Sequence, residues 1–269
     1  MTAWSEAARA RGERVASVPT MGALHAGHVS LLREGRRRGD QLALSIFVNP
    51  TQFGPTEDLS RYPRDLPGDL AQAAEAGTDV AYVPEARDVY PEDFQTYIEV
   101  RGLEQGLDGG SRPGHFVGVA TVVCKLFNVV RPHVALFGEK DFQQLAVIRR
   151  MVADLDMSVE ILGLPIVREP DGLAMSSRNA YLSPDERRRA LALSRGLSAA
   201  RAQAEAGERA AAALVARARD ALDAEVDLVD YVELRDAETL APVERLERPA
   251  ILMVAAYVGK TRLIDNLRL

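Results

Sequence analysis

Short apolar runs alternate with segments of helical periodicity through the first 165 or so residues of the chain. Each of the first four runs is followed by a loop and then by a helical segment such as GHVSLLREGRRRG or DLPGDLAQAAEAG. Apolar strands that alternate with amphipathic helices are typical of βαβ units. The pattern therefore predicts an α/β fold, with a Rossmann-type parallel sheet and helices on both of its faces. The candidate strands are RVASVP, QLALSIFVN, DVAYVP, HVALFG and VEILGLPIV.

The pattern changes after about residue 166. Ser183, Pro184 and Glu186 occupy the N-cap, N1 and N3 positions of a capping box, ahead of the long helical segment LALSRGLSAARAQ. A second Ala/Arg-rich helix is predicted around 207–223, followed by strands at VDYVELRD and AILMVAAYVG. We therefore expect a Rossmann-type domain over 1–166 and a smaller C-terminal α+β lid domain over 167–269.

The composition argues against several classes of protein. An apolar fraction of 47% and a charged fraction of 27% in 269 residues are those of a globular protein with a sizeable core. The net charge of −6 argues against a protein that coats nucleic acid. Cys124 is the single cysteine, which rules out an intramolecular disulfide, and its apolar surroundings favour a packing role. With no apolar run of about 18 residues and no secretory signal, we expect a cytoplasmic protein that does not bind membranes.

The segment VPTMGALHAGHVSLL has the strand–loop–helix form that presents backbone N–H groups and a helix N-terminus to a phosphate. Gly22 and Gly27 allow the backbone to approach a ligand closely. His25 is predicted in the loop and His28 in the first helical turn, where the helix dipole favours its neutral form until an anion binds. From these residues alone, the two histidines could also be turn residues, or zinc ligands if His115 or His133 supplied a third imidazole.

The segment HVALFGEKDFQQ repeats this strand–turn–helix form. Lys140 is one of three lysines in a chain with thirty arginines, and its place at the end of a strand suits a phosphate contact. Asp141 is a candidate for such a site or a plain N-cap. Gln143 and Gln144, in the first helical turn, could contact a substrate or face solvent.

Three further loops carry candidate polar groups. Ser176, Ser177 and Arg178, in GLAMSSRN, could close over a triphosphate or form a polar linker. Asn49 and Gln52 follow another strand and could fix a small polar substrate, while SRPGHF adds Arg112 and His115. The late VGKT segment lacks the first glycine of a phosphate-binding loop, because that position is Val254, and no helical pattern follows it.

Taken in order, these motifs resemble the pantothenate synthetase (pantoate–β-alanine ligase) family. The likeness runs from about Val15 to AAYVGKTRLIDN, essentially the whole chain. The histidine motif alone marks the broader HxGH nucleotidyltransferase superfamily, which includes class I aminoacyl-tRNA synthetases, whereas the later motifs together are specific. The motifs are PTMGALHAGH, NPTQF, SRPGHF, KLFN, FGEKDFQQLAVIRRMV and DGLAMSSRNAYLS.

The resemblance implies ATP-dependent condensation of pantoate with β-alanine through a pantoyl adenylate, giving pantothenate, AMP and diphosphate. It implies a homodimer, ATP as substrate, and Mg²⁺ that arrives with the ATP phosphates rather than in a protein metal site. His28 is the implied proton donor, and we expect His25, Lys140 and Arg178 to neutralise developing charge with it. The implied ATP contacts are Met21, Gly22, Ala23, Leu24, His25, Ala26, Gly27, His28, Gly138, Glu139, Lys140, Asp141, Val167, Met175, Ser176, Ser177 and Arg178.

By the same likeness, Gln52 and Gln144 hold pantoate, Gln52 also lies near β-alanine, and we add Asn49 to this set. The chain departs from the family pattern at Asp108 and at Ala26, where the family often has glutamate. Only about 14 residues precede the first strand, whereas the family begins with an additional strand and helix portion, so the sheet edge is expected to differ. The alternative functions are a nucleotidylyltransferase that retains AMP on its product and a non-catalytic nucleotide-binding module.

Overall fold

The predicted runs form one five-stranded sheet in the computed structural model, which describes residues 1–269. Every strand pair in this sheet is parallel, which confirms the predicted fold class. The observed strands are shorter than some predicted runs, because the last residues of QLALSIFVN and VEILGLPIV leave the sheet. The strands are β1 (Val15–Thr20), β2 (Gln41–Ile46), β3 (Val80–Tyr82), β4 (Val134–Gly138) and β5 (Glu160–Leu164).

The spatial order of the strands is β3-β2-β1-β4-β5. The chain first builds outward from β1 through β2 to β3, then returns to the other side of β1 with β4. Ser17 of β1 therefore pairs with Ala43 of β2 on one side and with Ala135 of β4 on the other. The connections after β1 and β4 leave the sheet in opposite directions, which opens a crevice at the carboxyl ends of these two strands.

Helices cover both faces of the sheet. Leu31 and Leu32 pack with Leu42, Leu44 and Leu136 on one face, and a second cluster around the helices over 115–130 and 142–154 covers the other. The first helix and most of the segment between β3 and β4 carried no helix prediction. The helices of this part are α1 (Thr2–Ala10), α2 (Ala26–Arg38), α3 (Leu66–Glu75), α4 (Ala86–Val89), α5 (Leu107–Ser111), α6 (His115–Val130) and α7 (Phe142–Asp154).

The remaining residues form two helices and an antiparallel sheet with a core of their own. The predicted capping box begins the first of these helices: Ser183 Oγ accepts from Glu186 N at 3.3 Å, and Glu186 Oε2 accepts from Ser183 N at 2.8 Å. The segment after Gly259, assigned no structure from the sequence, is a third strand. The elements are α8 (Pro184–Glu205), α9 (Ala211–Asp223), β6 (Leu228–Asp236), β7 (Ala250–Val258) and β8 (Thr261–Arg268).

The antiparallel sheet packs against the end of the parallel sheet that carries the crevice. Phe142 of α7 and Leu107 of α5 share a buried cluster with Tyr231, Ile251 and Met253. The antiparallel sheet therefore lies beside the turn that follows β4, and β8 lines a cavity next to the crevice. A division at residue 166 remains a prediction, and none of the helices has the length and apolar character needed to cross a membrane.

Candidate active site

A cavity of about 210 Å³ lies at the carboxyl ends of β1 and β4. Strand order in the sheet reverses between these two strands, and ligands of open α/β sheets bind at such points. The loop after β1 supplies His25, the first turn of α2 supplies His28, and the turn after β4 supplies Lys140. The fold therefore brings together two segments that are more than 100 residues apart in sequence.

Asp69, a buried residue of α3, fixes the loop between β1 and α2. Its carboxylate accepts from Ala23 N at 2.9 Å and from Leu24 N at 2.6 Å. Gly22 has φ +81, and a Cβ there would lie 2.9 Å from Asp69 Oδ2, so glycine is required on both counts. Asp69 was not among the predicted site residues, since one aspartate on a predicted helix gives no indication that it bonds to a distant loop.

The two histidines form the N-terminal cap of α2. His25 Nδ1 accepts from Gly27 N at 3.2 Å, and His28 Nδ1 accepts from His25 N at 3.3 Å. A backbone N–H is always the donor, so both Nδ1 atoms carry a lone pair and both rings carry their proton on Nε2. The rings stack with centroids 4.0 Å apart and line the cavity. Each ring thus keeps one N–H donor that the loop does not use.

Both histidines are neutral at pH 7 in this arrangement. Burial, followed by the nearby charge of Lys140, lowers the pKa of His25 to about 4. Burial and then the neighbouring His25 lower the pKa of His28 to about 3. From the sequence, the helix dipole was expected to keep the first-turn histidine neutral. In the structure, burial is the largest cause of the lowered pKa of both rings. The site therefore offers neutral N–H donors until an anion enters.

The turn after β4 forms the facing wall. Lys140 Nζ lies 3.1 Å from Asp141 Oδ2, and both side chains line the cavity. Asn266, which is buried in β8, donates to the carbonyls of Glu139 and Lys140 at 2.9 Å each. Asn266 ends the segment AAYVGKTRLIDN and was not a candidate site residue, and through it the antiparallel sheet supports the turn that carries the lysine.

The MSSR segment lines the cavity, and its last two residues bond to loops of the first sheet. Ser177 Oγ donates to Ala23 O at 3.1 Å, in the histidine loop. Arg178 Nε and Nη2 donate to Asp58 at 2.9 and 2.8 Å, and the guanidinium lies 5.7 Å from the ring centroid of Tyr62. The segment that could have been a polar linker is therefore packed against the first sheet's loops.

Polar side chains after β2 complete the cavity. Gln52 Oε1 accepts from Asn49 Nδ2 at 3.0 Å, and Gln52 Nε2 faces the sulfur of Met21 at 3.3 Å. Asn49 is 1% exposed, and its amide also bonds to Gly118 O, Thr51 and Tyr90. Within this structure Asn49 therefore acts mainly by orienting Gln52.

Most of the predicted site residues line this cavity, and a few do not. Ala23 and Leu24 use their amides on Asp69, and Glu139 pairs with Arg268 at 3.0 Å. The predicted residues that do not line it are Gly22, Ala23, Leu24, Ala26 and Glu139. Those that do are Met21, His25, Gly27, His28, Asn49, Gln52, Gly138, Lys140, Asp141, Gln144, Val167, Met175, Ser176, Ser177 and Arg178.

A second cavity, of about 270 Å³, adjoins the first and shares five lining residues with it, Lys140, Asp141, Gln144, Ser176 and Arg178. Arg112 and His115 line one side of this second cavity, and β8 lines the other. Among its lining residues is Asp108, whose carboxylate lies 2.7 Å from the guanidinium of Arg262. Asp108 is one of the two positions at which the chain departs from the family pattern. Its ion pair joins α5 to β8 of the antiparallel sheet.

Neither cavity is built as a protein metal centre. The chain contains no group of three or more His, Cys, Asp or Glu side chains placed to hold a metal ion. His25 and His28 have no third imidazole beside them, because His115 lies behind Gln52 and His133 accepts from Val15 N, both away from the paired rings. Cys124 is half-buried in α6, and burial raises the pKa of its thiol.

Comparisons with known proteins agree on one family. The model of the family described as pantoate-beta-alanine ligase matches residues 1–268. Pantothenate synthetase of Anaeromyxobacter dehalogenans is 63% identical over 98% of this chain and 93% of its own length, and that of Myxococcus xanthus is 60% identical over 99% and 92%.

Solved structures give the same result. Pantothenate synthetase of Thermus thermophilus superposes with a TM-score of 0.93 at 48% identity, covering 98% of this chain and 96% of that chain. The pantoate-beta-alanine ligase of Francisella tularensis, complexed with beta-gamma ATP and beta-alanine, has a TM-score of 0.79 at 31% identity, covering 98% and 94%.

Proposed function

The chain belongs to the pantoate–β-alanine ligase family, and from that membership we propose how its crevice carries out the reaction. The enzyme condenses pantoate with β-alanine at the expense of ATP, giving pantothenate, AMP and diphosphate. One observation carries the assignment of the site: the His25–His28 pair faces Lys140 and Arg178 across a single cavity. These groups supply hydrogen-bond donors and positive charge where a triphosphate is to be held.

ATP lies with its phosphates between the helix α2 N-terminus and the Lys140 turn. The Nε2–H groups of His25 and His28 donate to phosphate oxygens, and Lys140 supplies a point charge. Arg178 contacts the phosphates through Nη1, which its bonds to Asp58 leave unused. Met175 and Val167 line the same cavity and pack against the nucleoside.

Mg²⁺ accompanies ATP, and the donor set of the cavity fits an ion held mainly by phosphates and water. Asp141 is the one carboxylate that lines it, and Mg²⁺ in nucleotide sites commonly takes one or two carboxylates plus phosphate oxygens. When bound, the ion neutralises phosphate charge. Asp141 would hold the ion or its water shell.

In the first step the pantoate carboxylate attacks the α-phosphorus in line. An oxygen–phosphorus bond to pantoate forms as the bond to diphosphate breaks, which leaves a pantoyl adenylate. The protein contributes position and charge stabilisation rather than a nucleophile. His28 donates through Nε2–H toward the departing diphosphate, and Lys140 and Arg178 stabilise its charge.

In the second step the free amine of β-alanine attacks the acyl carbon of the adenylate. A carbon–nitrogen bond forms, the bond to AMP oxygen breaks, and the proton lost by the nitrogen passes to solvent water. Gln52 and Gln144 hold pantoate through both steps, and Asn49 supports Gln52. The β-alanine lies near Gln52, which lines the first cavity.

A pantoate-dependent exchange assay tests the assignment. Labelled diphosphate should enter ATP when pantoate is present and β-alanine absent, and pantothenate and AMP should form in equal amounts once β-alanine is added. Exchange supported equally by a nucleotide acceptor would instead indicate a nucleotidylyltransferase. ATP binding without AMP release in the presence of both substrates would indicate a binding module.

We also propose that the enzyme is a cytoplasmic homodimer that needs no nucleic acid or membrane partner, with residues 1–166 and 167–269 as its two domains. Family membership supports the dimer. Light scattering should give twice the mass of the chain at micromolar concentration. A mass equal to one chain would contradict this part of the proposal.

A further inference from the structure

A series of four hydrogen-bonded groups runs from the protein surface to the main chain of Gln52. Arg112 donates from Nε and Nη2 to the two oxygens of Glu57, at 2.7 Å each. The Nη1 of the same guanidinium lies 3.0 Å from His115 Nε2, and His115 Nδ1 lies 2.8 Å from Gln52 O. The ATP site described above requires no phosphate contact from Glu57, Arg112 or His115.

Each bond in this series fixes the direction of the next. A guanidinium has no acceptor, so Arg112 must donate to His115 Nε2. The Nε2 of His115 therefore carries a lone pair, and its proton sits on Nδ1, from which it donates to the Gln52 carbonyl. His115 is thus protonated on the opposite nitrogen from His25 and His28.

The surroundings of the His115 ring keep it neutral and hold it in this orientation. It is 8% exposed, and burial followed by the charge of Arg112 lowers its pKa to about 4. The ring also packs against Phe116, with centroids 4.9 Å apart. A neutral imidazole locked at both nitrogens is a rigid spacer between Arg112 and the Gln52 backbone.

The Gln52 backbone lies in a short turn, Pro50–Gln52, that is supported from other sides as well. Arg112 Nη2 adds a second, longer bond to Gln52 O at 3.4 Å. Gly118 of α6 packs so closely that a Cβ there would lie 2.7 Å from Gln52 N. The backbone of the turn is therefore fixed before any substrate enters.

We propose that His115 is a positioning residue for pantoate binding, which acts through the Gln52 carbonyl and is itself oriented by Arg112 and Glu57. This inference rests on the proposed role of Gln52 in holding pantoate. A 1 Å displacement of a substrate-holding group costs up to about 100-fold in rate. Loss of the His115 bond allows such a displacement without touching the ATP phosphates.

Three variants separate this role from a purely structural one. His115→Ala removes both bonds, whereas His115→Asn keeps a side-chain N–H near the Nδ1 position and so retains the donor to Gln52 O. Gln52→Ala serves as the reference for lost pantoate contact. For His115→Ala we expect a KM for pantoate about 10-fold higher, a KM for ATP within about twofold of the parent, and substantial recovery in His115→Asn.

The outcomes are distinguishable. If Gln52→Ala leaves the KM for pantoate unchanged, the proposed function of Gln52 is wrong. If Gln52→Ala raises the KM for pantoate and His115→Ala does not, only the positioning role of His115 is wrong. The same conclusion follows if the KM for pantoate of His115→Asn is as high as that of His115→Ala. A rise confined to the KM for β-alanine would also overturn it, because His115 would then contact that substrate directly.

A measurement without turnover covers the case in which His115→Ala fails to fold. Nitrogen NMR of the unsubstituted protein reports which ring nitrogen of each histidine is protonated. We expect His115 to carry its proton on Nδ1, whereas His25 and His28 carry theirs on Nε2. An Nε2-protonated His115 is incompatible with donation to Gln52 O and would overturn the inference.

Discussion

Asp58 and Arg178 form a two-pronged ion pair, with Arg178 Nε and Nη2 at 2.9 and 2.8 Å from the two carboxylate oxygens. Arg178 lies beyond β5, in the segment that lines the cavity, and Asp58 lies in the loop after β2. Burial alone would raise the pKa of Asp58, but Arg178 outweighs it and the pKa lies below its ordinary value. The pair therefore fixes one edge of the guanidinium and leaves Nη1 directed elsewhere.

This relationship predicts a split effect for Asp58→Asn. Arg178 loses its fixed orientation, so we expect the maximal rate of pantoate-dependent exchange to fall at least about 10-fold. The KM for ATP should change less than about threefold, because removal of a carboxylate beside the phosphates offsets lost contacts.

Steady-state exchange kinetics at saturating pantoate measure both quantities. Asp154→Asn is the matched control, since Asp154 pairs with the exposed Arg150 at the far end of α7. A faster Asp58→Asn enzyme would mean that Asp58 competes with phosphate for Arg178 rather than orienting it.

The tautomers of the histidine cap predict different outcomes for two substitutions of His28. Asparagine keeps an acceptor near Nδ1 for the His25 N–H but has no donor near Nε2. Glutamine places an N–H near Nε2 but loses the cap. If the Nε2–H is the group that acts on the phosphates, His28→Asn should lose roughly 100- to 1,000-fold in exchange rate while folding normally.

His28→Gln should be the more active and the less stable of the two. Thermal melts and exchange rates on the same preparations compare them. An active His28→Asn would show that the Nε2 donor is dispensable and that the histidine serves only as a cap.

The sheet and many of the side chains that line the cavity were predictable from sequence, because both rest on local patterns. The alternation of strands and helices indicated the parallel sheet, and the strand–turn–helix form made His25 and Lys140 candidates for a phosphate site at the ends of its strands. The supporting residues were not predictable. Asp69 and Asn266 act on loops far away in sequence, and nothing in their immediate surroundings distinguishes them from surface polar residues.

The sequence also could not predict which side chains of a motif face the cavity. Leu24 and Ala23 belong to the motif that resembles an ATP-binding segment, yet their amides are bonded to Asp69 and their side chains do not line the cavity. A motif identifies the segment that surrounds a ligand. Which side chains in the segment face the ligand depends on backbone dihedrals such as the φ of +50 at Ala23.

Asn266 allows the support of the Lys140 turn to be tested from the other sheet. Its amide donates to two carbonyls of the turn, so Asn266→Asp replaces the donors by acceptors that repel them. We expect kcat/KM for ATP to fall by about 10-fold or more, with less effect on the KM for pantoate.

Lys140→Ala should exceed this loss, and Lys125→Ala should match the parent, because Lys125 lies over the ring of Phe94 outside the cavity. Equal effects of Asn266→Asp on every substrate would indicate general destabilisation instead, which urea unfolding would detect.

The histidines also predict how stability depends on pH. Folding lowers the pKa of His25 and His115 to about 4 and of His28 to about 3, with burial the largest cause each time, and His133 shifts in the same direction. Below the ordinary histidine pKa near 6.5, the unfolded chain takes up protons that the folded chain does not. Stability is therefore fully present above pH 6.5 and falls as the pH drops toward 4.

At pH 5 the buried His115 alone accounts for at most about 2 kcal/mol of lost unfolding free energy. Urea unfolding at pH 7 and pH 5 measures the change, and carboxylates with lowered pKa, such as Asp58, titrate below this range. His115→Asn removes one titrating ring but keeps its donor, so its stability should fall less between the two pH values than that of the parent. An equal fall in both proteins would mean that His115 titrates normally when folded.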